Sequence, residues 1–449
     1  MYHMHPKTLA LLCVSLVILM ISSLSLAEQP ILSPAISESD SHLELNTAPD
    51  VHDLIRFVEE AVVFAQREGK ESALSEFSRQ NGSFTRGDLY VWAYDFEGMN
   101  LAHPWHPEYQ GNNKLDLADP DGFRMIEAMR NTALNGSGYV WYQYENPVTG
   151  KTEPKIAYVK RVDDTWWLAS GIYGNDLTVP DDSPEAVQSR LMGRVDEAIQ
   201  NVKEYGEEKA LADFNDPSGP FATNESYIFA FDINGTTLAM PFHQDRIGRN
   251  EKELTDANGV AIGAEKIMVA ENGGGFFYYV FDNPAADNMP EFKISHVKPA
   301  SSTLIIGTGL YLPSVPVTFS QEKREKVRIK VNEAAQYVQE QGKDAAIREF
   351  NDPNGTFSDP EMFIFAFDED GTLLANPYLP GLVGQNRLND RDPYGKYPVR
   401  HLIANAENGG YTYYFFADPH SDYKIRLKLG YTEKTDDGLI VGAGIFPQA

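Results

Sequence analysis

The chain has 449 residues, 42% of them hydrophobic, and a formal net charge of −27. That length admits about three domains of ordinary size, and the apolar content excludes wholesale disorder. The acidic surplus excludes a phosphate backbone as partner, because neutralising one takes clustered cations.

Residues 1–27 read as a targeting segment. Lys7 precedes an apolar run from Leu9 to Leu26, and Ser25-Leu26-Ala27 offers a small-residue cleavage site. A cleaved signal peptide and a retained membrane anchor both fit a run of this length. Either way the rest is expected to be extracytoplasmic, secreted or anchored to the outer face of the cytoplasmic membrane. The single cysteine, Cys13, lies in this run, so hydrophobic cores rather than disulfides must hold the remainder. Residues 28–50 carry Ser, Pro and acidic side chains without apolar periodicity and read as a flexible tether.

From Val51, Leu54, Phe57, Val58, Ala61, Val62 and Ala65 recur at helical spacing. Gly69 interrupts the helix, and a shorter one carries Ala73, Leu74 and Phe77. An aromatic strand follows, Tyr90-Val-Trp-Ala-Tyr94, with turn chemistry from Asp95 to Gly98 and a second short strand ending before Pro104. The same hairpin returns from Tyr227 and from Phe363, with Asp95, Asp232 and Asp368 at almost equal intervals. Gly111, Gly248 and Gly384 keep that spacing, as do Asp119, Asp256 and Asp392. Each hairpin leads to an Asp/Gly loop and a helix ending at glycine (Gly136, Gly273, Gly409). Then come an aromatic strand, a lysine-led strand and a closing strand. The period is too long for a solenoid and points to duplication of a whole domain.

The ordered set (D-x-x-G-x-x-x-A-x-P hairpin, glycine loop, Asp119/Gly122 turn, aromatic strand, lysine strand, closing Gly-Ile-Tyr) resembles the Cache family in its single-domain form. The expected fold class is α+β, and the resemblance implies three tandem PAS-like Cache domains, each a long N-terminal helix plus an antiparallel sheet of about five strands flanked by helices. The expected domains are 51–173, 185–311 and 321–446. The resemblance implies extracytoplasmic ligand binding in chemoreceptors and sensor kinases. No output domain follows the third copy, so a membrane signalling partner is expected to carry the response.

A pocket for a small carboxylate needs a cation or several donors in an aromatic cleft. Lys155 could supply the cation, Tyr142 and Tyr144 the hydroxyls, Trp92 a floor, and His103 with Trp105 a closure. Tyr279 and Tyr414 stand in the matching aromatic strands, and Lys293 and Lys424 head the matching lysine strands. Position 103 varies, with Met240 and Asn376 in the later copies, so ligand choice is expected to differ there. The plain alternatives are an exposed edge lysine, a solvated loop histidine and aromatics that are simply sheet core.

Asp119, Asp121 and Gly122 lack the continuation of a calcium loop, and His103 with His106 lacks further zinc ligands. No nucleophile elbow, phosphate loop or dinucleotide fingerprint occurs. The reading is a non-enzymatic sensor without cofactor or metal, binding a carboxylate or amine-bearing metabolite. The alternative is a surface structural or interaction protein with vestigial pockets.

Overall fold

The computed structural model describes residues 50–134, 136–174, 183–223, 226–421 and 423–447. The targeting segment, and all of the tether except Asp50, lie outside the described residues. Helix α1 (Val51–Glu68) starts at Asp50, whose side chain accepts from the Asp53 amide while Asp53 returns the bond, a reciprocal cap. It stops at Gly69, whose φ of 83° and ψ of 160° few other residues tolerate. Helix α2 (Lys70–Phe77) follows.

Strands β1 (Trp92–Asp95), β2 (Asn100–Ala102), β3 (Ser137–Glu145), β4 (Thr152–Arg161) and β5 (Trp166–Tyr173) pair in the order β2-β1-β5-β4-β3, every pair antiparallel. Side chains alternate across this sheet. Ile156 and Tyr158 meet α1 through Leu54, Phe57 and Val58, while Ala157 and Val159 meet Met125 and Met129 of helix α3 (Met125–Leu134). Burying a side chain such as Phe57 contributes about 1.5–3 kcal/mol, so the helix is held by its apolar stripe.

The plan recurs twice. Helices α4 (Pro184–Tyr205), α5 (Glu207–Phe214) and α6 (Ile262–Glu271) accompany β6 (Ile228–Asp232), β7 (Thr237–Ala239), β8 (Gly275–Asn283), β9 (Met289–Pro299) and β10 (Leu304–Tyr311), ordered β7-β6-β10-β9-β8. Helices α7 (Gln321–Gln341), α8 (Lys343–Phe350) and α9 (Pro398–Ala406) accompany β11 (Phe365–Phe367), β12 (Leu373–Ala375), β13 (Gly410–Asp418), β14 (Lys424–Lys434) and β15 (Ile440–Ile445), ordered β12-β11-β15-β14-β13. These three antiparallel sheets with their helices are the expected α+β class.

The second and third sheets share one core. Phe292 and Ile294 of β9 join Leu427 and Leu429 of β14, with Val327 and Val331 of α7. The contact is crossed. Tyr278 of β8 donates to Asp392 at 2.6 Å, and Asn258 donates to Tyr413 of β13 at 2.7 Å. Gly395 faces Phe276 and Gly259 faces Tyr411, so closely that a Cβ would come within 2.9 and 3.3 Å. Each side thus offers a ring and receives one. Beside it Lys396 donates to Glu265 at 3.2 Å and to Thr412 at 2.8 Å, all three fully buried. Burial alone would raise the Glu265 pKa, but Lys396, then His401 and Thr412, hold it down to about 2.

Contacts at Glu185 and at the end of α1 help tie in the first sheet. Glu185, in the first turn of α4, accepts from Tyr158 at 2.7 Å and Ser137 at 2.9 Å. The last turns of α1 rest on the short turn Pro380–Leu382, where Gly381 meets the Gln66 carbonyl.

Candidate ligand-binding site

Register brings Tyr142, Lys155 and Tyr173 into one row across β3, β4 and β5. Lys155 is 1% exposed, because its side chain points from a central strand into the face covered by α3. Its Nζ donates to Tyr90 at 3.1 Å and to Tyr173 at 3.0 Å, and Tyr173 donates onward to the Glu145 carbonyl. The rings of Tyr90, Trp92 and Tyr173 lie 4.3, 4.7 and 4.3 Å from Nζ. Each such ring contributes about 0.5–2 kcal/mol to holding a cation. Burial pushes the lysine pKa well below its ordinary value, with Asp88 opposing.

The second sheet repeats the row as Tyr279, Lys293 and Tyr311. Lys293 donates to Tyr311 at 3.2 Å, and its pKa is likewise pushed well down by burial. Tyr279 bonds Ser295 at 2.9 Å instead. In the third sheet, register corrects the sequence reading. Tyr414 pairs with Lys428, whereas Lys424 pairs with Asp418 at the strand's start and is exposed. Lys428 is fully buried, and its Nζ has no hydrogen-bond partner among the described residues. The rings around it are Phe363, Phe416 and Phe446, at 4.1, 5.0 and 5.2 Å. Desolvation brings its pKa down to about 7, with Asp418 opposing. Among the described residues, no carboxylate pairs directly with any of the three lysines; Asp88 and Asp418 act on Lys155 and Lys428 from a distance.

The cavities around these rows differ, and Lys155 lines one of about 320 Å³ together with Trp141 and Asp119. Trp92, Tyr142, Tyr144 and His103 enclose a cavity of about 10 Å³ in the first sheet, space for about one water. Lys428, Tyr414 and Asn376 line a cavity of about 700 Å³ that continues between α1 and α4, past Val63 and Met192. Met240 lies buried in the second sheet's aromatic cluster.

His103 is buried, and its Nδ1 accepts the amides of Trp105 at 3.2 Å and His106 at 3.0 Å. That leaves the proton on Nε2. Asn376 does the same work, accepting from Tyr378 at 3.1 Å and Leu379 at 3.0 Å. Two of the three residues at this variable position therefore cap the turn after their hairpin, which sequence spacing did not reveal. Trp105 is half-buried with its Nε1 unpartnered, beside the aromatic cluster rather than lining the small cavity. The residues that sequence reasoning missed are Tyr90, Tyr173 and Lys428. The alignable columns Tyr90/Tyr227/Phe363 and Tyr173/Tyr311/Phe446 carried their signal.

A Cache domain family profile matches residues 65–312 and 185–448, so each match runs through two of the sheets. The sensor histidine kinase MctS of Rhizobium johnstonii is 36% identical over 91 residues, 20% of this chain and 20% of that protein. The methyl-accepting chemotaxis protein McpP of Pseudomonas putida is 27% identical over 92 residues, 20% of this chain and 17% of its own. The chain spans about a fifth of the length of these curated relatives. A solved methyl-accepting chemotaxis protein from Vibrio parahaemolyticus aligns with 28% of this chain and 90% of its own, at 24% identity and a TM-score of 0.25.

Proposed function

The chain belongs to the Cache domain family, and from that premise we propose an extracytoplasmic sensor-type protein that binds small organic acids. It is built as three tandem Cache units (51–173, 185–311 and 321–446) behind a signal peptide or anchor. The observation that carries the ligand class is the buried lysine of each sheet without a carboxylate partner. An ammonium sealed among rings is costly until an anion joins it. A carboxylate meets that need, and a simple amine would add to the repulsion. In the third unit Lys428 is unpartnered and is among the residues lining a cavity of about 700 Å³. A membrane signalling partner reads occupancy, a role that the kinase and chemotaxis relatives support by their names.

One observation favours the interaction-protein reading for the first unit, since the cavity of about 10 Å³ among Trp92, His103, Tyr142 and Tyr144 admits no metabolite without rearrangement. A thermal-shift screen of organic acids against the protein and its Lys155→Met and Lys428→Met variants decides between the two. The sensor reading expects an acid that raises the melting temperature by mass action and a lysine variant that loses this response while remaining folded. Acids that shift neither protein, or both equally, would overturn it.

A further inference from the structure

The crossed contact between the second and third sheets has a third, unpaired version on the first sheet. Asp119 receives the amides of Asp121, Phe123 and Gln143, as Asp256 receives those of Asn258, Val260 and Val280. Asp392 does the same for Tyr394, Lys396 and Phe415. The three loops are therefore held in one shape. Trp141 stands where Tyr278 and Tyr413 stand, and Phe123 where Val260 stands. Tyr278, Tyr413 and Val260 are completely buried, whereas Trp141 is 52% and Phe123 42% exposed. A Cβ at Gly122 would meet no described residue within 4 Å, where one at Gly259 or Gly395 would meet a ring.

We propose that this face of the first sheet docks the same face of a second copy of the chain. Each Trp141 would cover the other copy's 119–123 loop. The occupant follows from the shape of the internal contact, in which each side supplies both ring and loop. Such a surface complements itself, which is what a two-fold dimer requires. The indole N–H takes the place of the Tyr278 hydroxyl as donor to the loop aspartate. Gln143 and Pro154 stand where the internal contact has Val280 and Phe292, so the dimer is smaller in apolar content and reversible. With a net charge of −27 on each copy, salt strengthens association by screening repulsion.

Sedimentation velocity on the full chain over a concentration series, at low and high salt, tests the proposal. The expected result is a monomer–dimer equilibrium favoured by salt and weakened about tenfold or more by Trp141→Glu, the size of loss an interface anchor gives. Ile329→Glu, on the exposed side of α7, should leave it unchanged. Phe123→Glu, in a loop, carries the test if Trp141→Glu fails to fold. A chain that stays monomeric throughout would overturn the proposal. So would a dimer indifferent to both substitutions, which some other surface, the N-terminal segment included, must then hold.

Discussion

Lys428 lies 5.2 Å from the ring of Phe446, at the place where Lys155 donates to the hydroxyl of Tyr173. Two missing hydroxyls, at Phe363 and Phe446 where the first sheet has Tyr90 and Tyr173, separate a lysine with partners from one with none. The folded pKa of Lys428, about 7, lies below its ordinary 10.5. Between those values the unfolded chain holds a proton that the folded chain has released, so stability rises with pH across this window. Below it the full burden of the buried charge remains. Urea titrations of Lys428→Met and the parent should differ in slope by up to about 1.4 kcal/mol per pH unit there. Identical pH profiles would show that Lys428 keeps its proton by some other means. An acid bound beside it draws the proton back, so calorimetry above pH 7 should register proton uptake.

The buried Lys396–Glu265 pair makes a second, sharper case. Removing one partner from such a pair leaves an uncompensated charge and costs about 3–5 kcal/mol. Glu265→Ala should therefore lower the urea midpoint strongly, whereas Glu265→Leu combined with Lys396→Met recovers most of it. A mild Glu265→Ala would mean that water reaches Lys396.

Gly381 sits against the Gln66 carbonyl with the Gly69 amide 3.3 Å from where a Cβ would be. Backbone atoms cannot rotate aside, so Gly381→Ala should part the Pro380–Leu382 turn from α1 at about 1–3 kcal/mol. Limited proteolysis near the turn, compared with the parent, reads this directly. Unchanged cleavage and stability would show that the contact yields freely.

Much of the fold was legible because its signals are local. The stripe on α1 and the glycines that end helices each act within a few residues. The lysine row was only half legible. Lys155 and Lys293 lie inside β4 and β9 as Lys428 lies inside β14, but β14 also opens on a lysine, Lys424, and only pairing with Tyr414 selects Lys428. The shared core left a sign that was overlooked. Phe276-Phe-Tyr-Tyr-Val-Phe281 is apolar on both faces, which a strand with one wet face would not be. On the first sheet the same strand reads Tyr139-Val-Trp-Tyr-Gln-Tyr144, and Gln143 marks the side that no other sheet covers. The turn-capping by His103 and Asn376 was invisible, since both also look like ligand-pocket residues.

Because Tyr278 and Asp392 belong to one polypeptide, their meeting does not weaken on dilution. The linker sets a fixed effective concentration for it, and that contact persists at any abundance of the protein in the cell. A substitution on one side also leaves the other untouched, a freedom that identical subunits lack. Tyr311 and Phe446 could thus part company, and the rows around Lys293 and Lys428 differ in chemistry within one permanent pair.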